Sequence, residues 1–173
     1  MGMTFGNFHV YKGNIGQVSA ALQSKHIVVQ ASADWITITD DFADAESSKA
    51  ARSLSKQIRE PVLHFYYFDD DIMAMELFQN GKTVAAYNMN YAGQTQTRKL
   101  GLFISLLGLE TSQEKRLRTI LNCEELHKKV LLLEELFGVV LYIDAEQLKD
   151  EEVSCFRERG DNKYLEYIAE QKN

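Results

Sequence analysis

The chain is poor in proline and cysteine and has no long hydrophobic run. Its 173 residues include one proline and two cysteines. Cys123 and Cys155 are too few and too scattered for a disulfide framework, and both fall in helical patterns. Free thiols in a reducing cytoplasm are the simpler reading. No apolar stretch approaches the roughly 20 residues that span a bilayer. The N-terminus lacks the basic region followed by an apolar stretch that marks a secretory signal. These absences predict a cytoplasmic protein with no membrane partner. Basic charge is also scarce, with 19 Lys and Arg against 25 Asp and Glu and a net charge of -6. Phosphate backbones call for a basic field, so nucleic acid is not an expected partner. The same acidity suits solubility, or binding to a basic protein.

Strong chemical signatures are missing as well. There is no G-x-S-x-G, no G-x-x-x-x-G-K-[ST] and no C-x-x-C. His127 has Cys123 four residues before it, but this one pair falls short of the three or four ligands a zinc site needs, so zinc is not expected. Asp69-Asp70-Asp71 is the most conspicuous polar cluster. Successive residues of a strand point to opposite faces, so three in a row cannot share one ion there, and a solvated turn is the expected role. No cofactor and no metal are predicted, and no catalytic residue can be named.

What is present centres on Pro61 to Asn88, which reads as three antiparallel strands joined by two tight turns. Pro61 stands where a helix must stop and a strand begin. Asn80-Gly81 makes a type I′ hairpin, which needs positive φ at both central residues. Counting out from that turn pairs Leu77 with Val84 and Met75 with Ala86. One face then holds Met73, Met75, Leu77, Val84 and Ala86, and a three-residue Asp turn adds Leu63, Phe65 and Tyr67. The second face holds His64, Tyr66, Phe68, Ile72, Glu76, Phe78 and Tyr87, with His64 across from Glu76 and Trp35 alongside. Its aromatic character demands a cover.

Ahead of this block, Phe8 to Tyr11 reads as a strand, then a short helix capped by Asn14, strands at His26 to Gln30 and Trp35 to Thr39, and a helix with Ala50, Ala51, Leu54 and Ile58 buried. The order is β-α-β-β-α-β plus a hairpin. The predicted class is α+β: an antiparallel sheet with a ferredoxin-like βαββαβ start and an extra hairpin, followed by a helical C-terminal region. Residues 1–92 form the sheet with two helices on one face, and 93–173 a mainly helical region packed on it. Tyr91 to Arg98 reads as a polar boundary. Ser112 is expected to cap a helix, Leu126 to Phe137 forms the longest apolar stripe, and Gly138 ends it. Val139 to Ile143 reads as a short last strand, and Asp144 to Arg157 and Asn162 to Gln171 as two closing helices. The C-terminal helices are expected over the second sheet face.

Trp35, Leu54-Ser55-Lys56, the Asp turn, Leu77 to Lys82 and Tyr87-Asn88 together resemble bacterial α+β proteins in which such a sheet precedes a small helical region. The likeness covers about half the chain, and no activity is attached to that family. Two functional classes remain. One is a small binding or protein-interaction module, with a protein partner or itself, a basic partner being one fit for the acidic surface. The other is a small hydrolase or transferase with His64, Glu76 and a tyrosine at the sheet–helix seam, where a carboxylate would fix the imidazole tautomer. His64, Tyr66, Glu76, Tyr87 and Trp35 are the candidate binding residues.

Overall fold

The computed structural model describes residues 4–22, 26–39, 45–141, 156–158 and 165–167. Its centre is a seven-stranded antiparallel sheet. The strands are β1 (Thr4–Tyr11), β2 (Ile27–Gln30), β3 (Trp35–Thr39), β4 (Val62–Phe68), β5 (Ile72–Gln79), β6 (Lys82–Met89) and β7 (Thr95–Arg98), in the order β2-β3-β1-β4-β5-β6-β7. β1 lies between β3 and β4 and is antiparallel to both. Helices α1 (Ile15–Ala21) and α2 (Ala45–Gln57) precede β2 and β4, and α3 (Gly101–Leu106), α4 (Gln113–Leu121) and α5 (Leu126–Phe137) follow the sheet. The molecule is α+β, as its sequence predicts.

Both turns of the central block form for the anticipated reasons. Asn80 and Gly81 take φ of 51° and 73°, the pair of left-handed values a type I′ turn requires. Ser55 Oγ accepts from the Gly81 amide at 3.0 Å, which fixes α2 over the turn. Asp69 to Asp71 form a three-residue loop between the paired Phe68 and Ile72, with the Tyr67 hydroxyl donating to Asp70 at 2.9 Å. His64 therefore faces Glu76 in the register.

The β5–β6 register departs from simple counting. Gln79 pairs with Lys82 and Phe78 with Thr83, but Leu77 then pairs with Ala85 and Met75 with Tyr87. Val84 is the extra residue of a β-bulge, and every later side chain of β6 changes face. Burial gives the reason. The bulge turns Ala85, Tyr87 and Met89 into the core, where straight pairing would have turned in Ala86 and Asn88. Tyr87 thus leaves the face assigned to it above, and Ala86 leaves the core set.

The two faces bury separate cores. Phe8, Val10, Ile36, Ile38, Val62 and Phe78 pack against Val18 of α1 and Ala51, Leu54 and Ile58 around α2. The opposite face carries Phe5, Leu63, Phe65, Met73, Met75, Leu77, Tyr87 and Trp35, and packs against α3, α4 and α5. The C-terminal helices therefore cover the opposite face from the one anticipated. The chain's most apolar row, on β4, β5 and β6, takes the larger helical layer, and the His64 face takes α2.

Helix ends mostly follow their local chemistry. Asn14 accepts from the Gln17 amide at 3.0 Å, and Gly138 closes α5 in the left-handed region. Ser112 makes no capping bond to α4 and donates to Glu110 instead. Three further expectations fail. Thr95–Arg98, assigned to a boundary, is an exposed edge strand paired with β6. Val139 to Leu141 is buried without strand pairing, and residues 142–143 lie outside the described residues. In place of helices, β8 (Phe156–Glu158) and β9 (Leu165–Tyr167) pair antiparallel, the remainder of the two closing segments lying outside the described residues. Strand pairing is non-local and leaves no helical or alternating signal in three-residue pieces. Cys123 is a free thiol, and Cys155 lies outside the described residues.

Candidate functional site

The first candidate lies under α2. The buried stripe of α2 runs from Ser47 through Ala51 to Leu54, with Ile58 just past the helix end, so a hydroxyl enters the seam and must find a partner. Ser47 Oγ lies 2.8 Å from His64 Nε2. Ser48 Oγ donates to Glu76 Oε2 at 2.6 Å. His64 Nδ1 is 3.6 Å from Glu76 Oε2, with His64 3% exposed and Glu76 23%. At 3.6 Å that contact is electrostatic and too long for a hydrogen bond. His64 and Ser48 together hold the Glu76 carboxyl below its ordinary range, against the opposing effect of burial.

Of the five residues singled out from sequence, this seam gathers His64 and Glu76. Tyr66 shares their face and is half-buried. Tyr87 and Trp35 sit on the other face. Trp35 donates its indole N–H to the Phe137 carbonyl at 3.1 Å, and Tyr87 meets Lys129 of α5 at 3.1 Å. Ser47 and Ser48 went unnoticed in the sequence. The signal was there, since Ser47 stands four residues before Ala51 on the same helical stripe.

The seam ties α2 to the sheet more than it exposes a reactive group. A Glu76→Gln variant is expected to lose about 1–2 kcal/mol at neutral pH, as a charge-assisted bond becomes neutral. A carboxyl held below its usual range contributes stability above that range and loses it as pH falls. The gap between variant and wild type should therefore close below about pH 4, which urea titrations at several pH values would show. A gap that persists undiminished at pH 3 contradicts this assignment.

A second candidate lies at the corner made by the β4–β5 turn and the β6–β7 turn. Phe68 stacks on Tyr66 with ring centroids 6.5 Å apart and planes at 13°. Tyr91 meets Phe68 edge-on at 6.3 Å and 87°. Tyr91 is 64% exposed, and Asp69, Asp70 and Asp71 beside Phe68 are exposed as well. The β6–β7 turn that presents Tyr91 is held by Asn90, whose side-chain oxygen accepts from the Ala92 and Gln94 amides. The corner therefore offers aromatic rings and three carboxylates on two turns braced by their own hydrogen bonds.

Among the described residues no group of His, Cys, Asp and Glu is arranged to hold a metal, and no helix is long and apolar enough to cross a membrane. Comparison with protein-family models, with curated proteins and with solved structures finds no match.

Proposed function

We propose that the protein is a small binding module and that its partner is a basic protein segment, docked on the corner of Phe68, Tyr91 and the Asp turn. The carrying observation is Tyr91, largely exposed yet packed against Phe68 beside three exposed carboxylates. A guanidinium stacks on aromatic faces and pairs with carboxylates, so an arginine side chain satisfies both halves of this surface. The net charge of -6 would steer such a partner toward the chain. A cytoplasmic, bacterial setting rests on the sequence reading above. We also read the first four strands and two helices as a ferredoxin-like unit carrying an appended hairpin, a reading supported by the position of β1 between β3 and β4.

Titration of an arginine-rich peptide into the protein, followed by tyrosine fluorescence or calorimetry, tests the docking surface. Binding should weaken with added salt, and Tyr91→Ala or Asp71→Asn should each weaken it by about 5- to 30-fold, the effect of roughly 1–2 kcal/mol. A lysine peptide of the same charge should bind less well, lacking the planar group that stacks. Equal binding by wild type and both variants excludes this corner. Concentration-dependent dimerisation abolished by Tyr91→Ala would instead assign the corner to self-association.

The contact between Ser47 Oγ and His64 Nε2 favours a second reading, a serine hydrolase with Glu76 behind the histidine. Ser47 is fully buried and the His64–Glu76 contact is long, which weighs toward the docking module. A fluorophosphonate probe decides it: labelling of native protein that Ser47→Ala removes would establish the hydrolase.

A further inference from the structure

A partly open cleft of about 400 Å³ lies next to that corner, between the β4–β5 turn, the β6–β7 turn and the loop joining α4 to α5. Met89, Leu121, Leu126 and Tyr91 give it apolar walls, and Lys129 contributes to its lining from α5. Lys129 is 2% exposed. Its Nζ donates to Tyr87 Oη at 3.1 Å and approaches Met89 Sδ at 3.8 Å. No ion pair of Lys129 occurs among the described residues. Buried lysines are rare, and those that persist usually meet a carboxylate. Here Asp70, Asp71 and Glu124 line the same cleft but are exposed, placing them at its mouth.

We propose that Lys129 is an amine nucleophile and that the cleft takes a small, uncharged aldehyde or ketone, held as an imine. The Nζ lone pair attacks the carbonyl carbon to give a carbinolamine. The C–O bond then breaks, both N–H protons leave with that oxygen as water, and a C=N bond remains. The Tyr87 hydroxyl, already bonded to Nζ, lies where it can pass a proton to the departing oxygen and take one from nitrogen. Burial keeps that phenol protonated. Burial also lowers the pKa of the Lys129 ammonium, which enlarges the free-amine fraction near neutral pH. The groups lining or adjoining the cleft that bear on its titration are Asp70 and Asp71 from the β4–β5 turn, Tyr87 from β6, Tyr91 from the β6–β7 turn, and Cys123 and Glu124 from the α4–α5 loop. Cys123 opposes the shift and does not outweigh burial. The acidic mouth disfavours an anionic carbonyl compound, hence the uncharged class.

The test is reductive trapping on the whole chain. Native protein is treated with benzaldehyde and sodium cyanoborohydride at pH 7, and the modified lysines are located by peptide mass mapping. Lys129 should be modified at least about tenfold faster than any other lysine, because desolvation frees its amine at a pH where exposed lysines stay charged. Glyoxylate, an anionic aldehyde, should lose most of that preference. Urea should abolish it, and Lys129→Arg should leave only the slow background on other lysines. Modification of native Lys129 no faster than of exposed lysines overturns the proposal. No basic partner takes part, so that failure leaves the docking surface standing, and peptide binding that fails leaves the amine chemistry standing.

Discussion

Acidification from pH 6.5 to 4.5 is expected to cost the protein about 2–3 kcal/mol of stability, and His9 is the main reason. The His9 side chain is fully buried on β1, where Nδ1 contacts Thr37 Oγ1 at 2.9 Å. Its pKa is lowered from 6.5 to about 3, first by burial and then by the charge of His64, with the Leu141 carbonyl pulling weakly the other way. Between those two values the unfolded chain binds a proton that the folded protein does not. Stability is therefore full above about 6.5 and falls as pH drops toward 3, by at most about 1.4 kcal/mol per pH unit from this group. The Glu76 carboxyl begins to contribute only nearer its own lower range, so the upper window reports on histidine. Urea titrations of wild type and His9→Gln across that window check it. The variant should start less stable at pH 7 and show a distinctly flatter slope, and parallel slopes would mean that another group governs the acid response.

Trp35→Ala should cost about 3–5 kcal/mol, the usual penalty for removing a large buried aromatic side chain. Trp35 is 3% exposed in the core shared by the sheet and the C-terminal helices, and its indole N–H holds the Phe137 carbonyl at the end of α5. Nearby, Asn7 donates to the Leu141 carbonyl at 3.0 Å, and Glu134 accepts from the Leu141 amide at 2.9 Å. These bonds fasten the chain after α5 to the sheet, so the two layers should unfold together. Trp35→Phe keeps most of the packing and should lose nearer 1–2 kcal/mol, isolating the hydrogen bond. Circular dichroism and hydrogen exchange of α5 should report the same midpoint shift for Trp35→Ala. A loss below 1 kcal/mol, or exchange confined to α5, contradicts the shared core.

Legibility followed locality. Asn80-Gly81, the three-residue Asp turn, the His64–Glu76 pairing and the Ala51, Leu54, Ile58 stripe depend on near neighbours and were readable. The bulge at Val84 was hidden, because it is decided by which β6 row best fills a core completed by α3, α4 and α5, farther along the chain. That one residue moved Tyr87 from the His64 face to the Lys129 side. The choice of helical layer for each face was equally non-local, and it separated Trp35 from the group expected beside it. β7 was missed because an exposed edge strand of Thr95–Arg98 has no apolar alternation to show. Lys129 was readable in principle. It stands three residues after Leu126 and four before Leu133, on the buried stripe of α5, where a charged side chain is the exception that marks the position.

The docking corner itself was legible only in pieces: the Asp turn as a turn, Phe68 as part of an aromatic row, Tyr91 as boundary. Amide chemical-shift mapping during titration with the arginine-rich peptide puts those pieces to the test together. The largest shifts should fall on Phe68, Asp69, Asp70, Asp71, Tyr91 and Gly93, and should shrink as salt is added. Shifts centred on α1 and α2, or none above the level of a neutral control peptide, would contradict a basic partner at this corner.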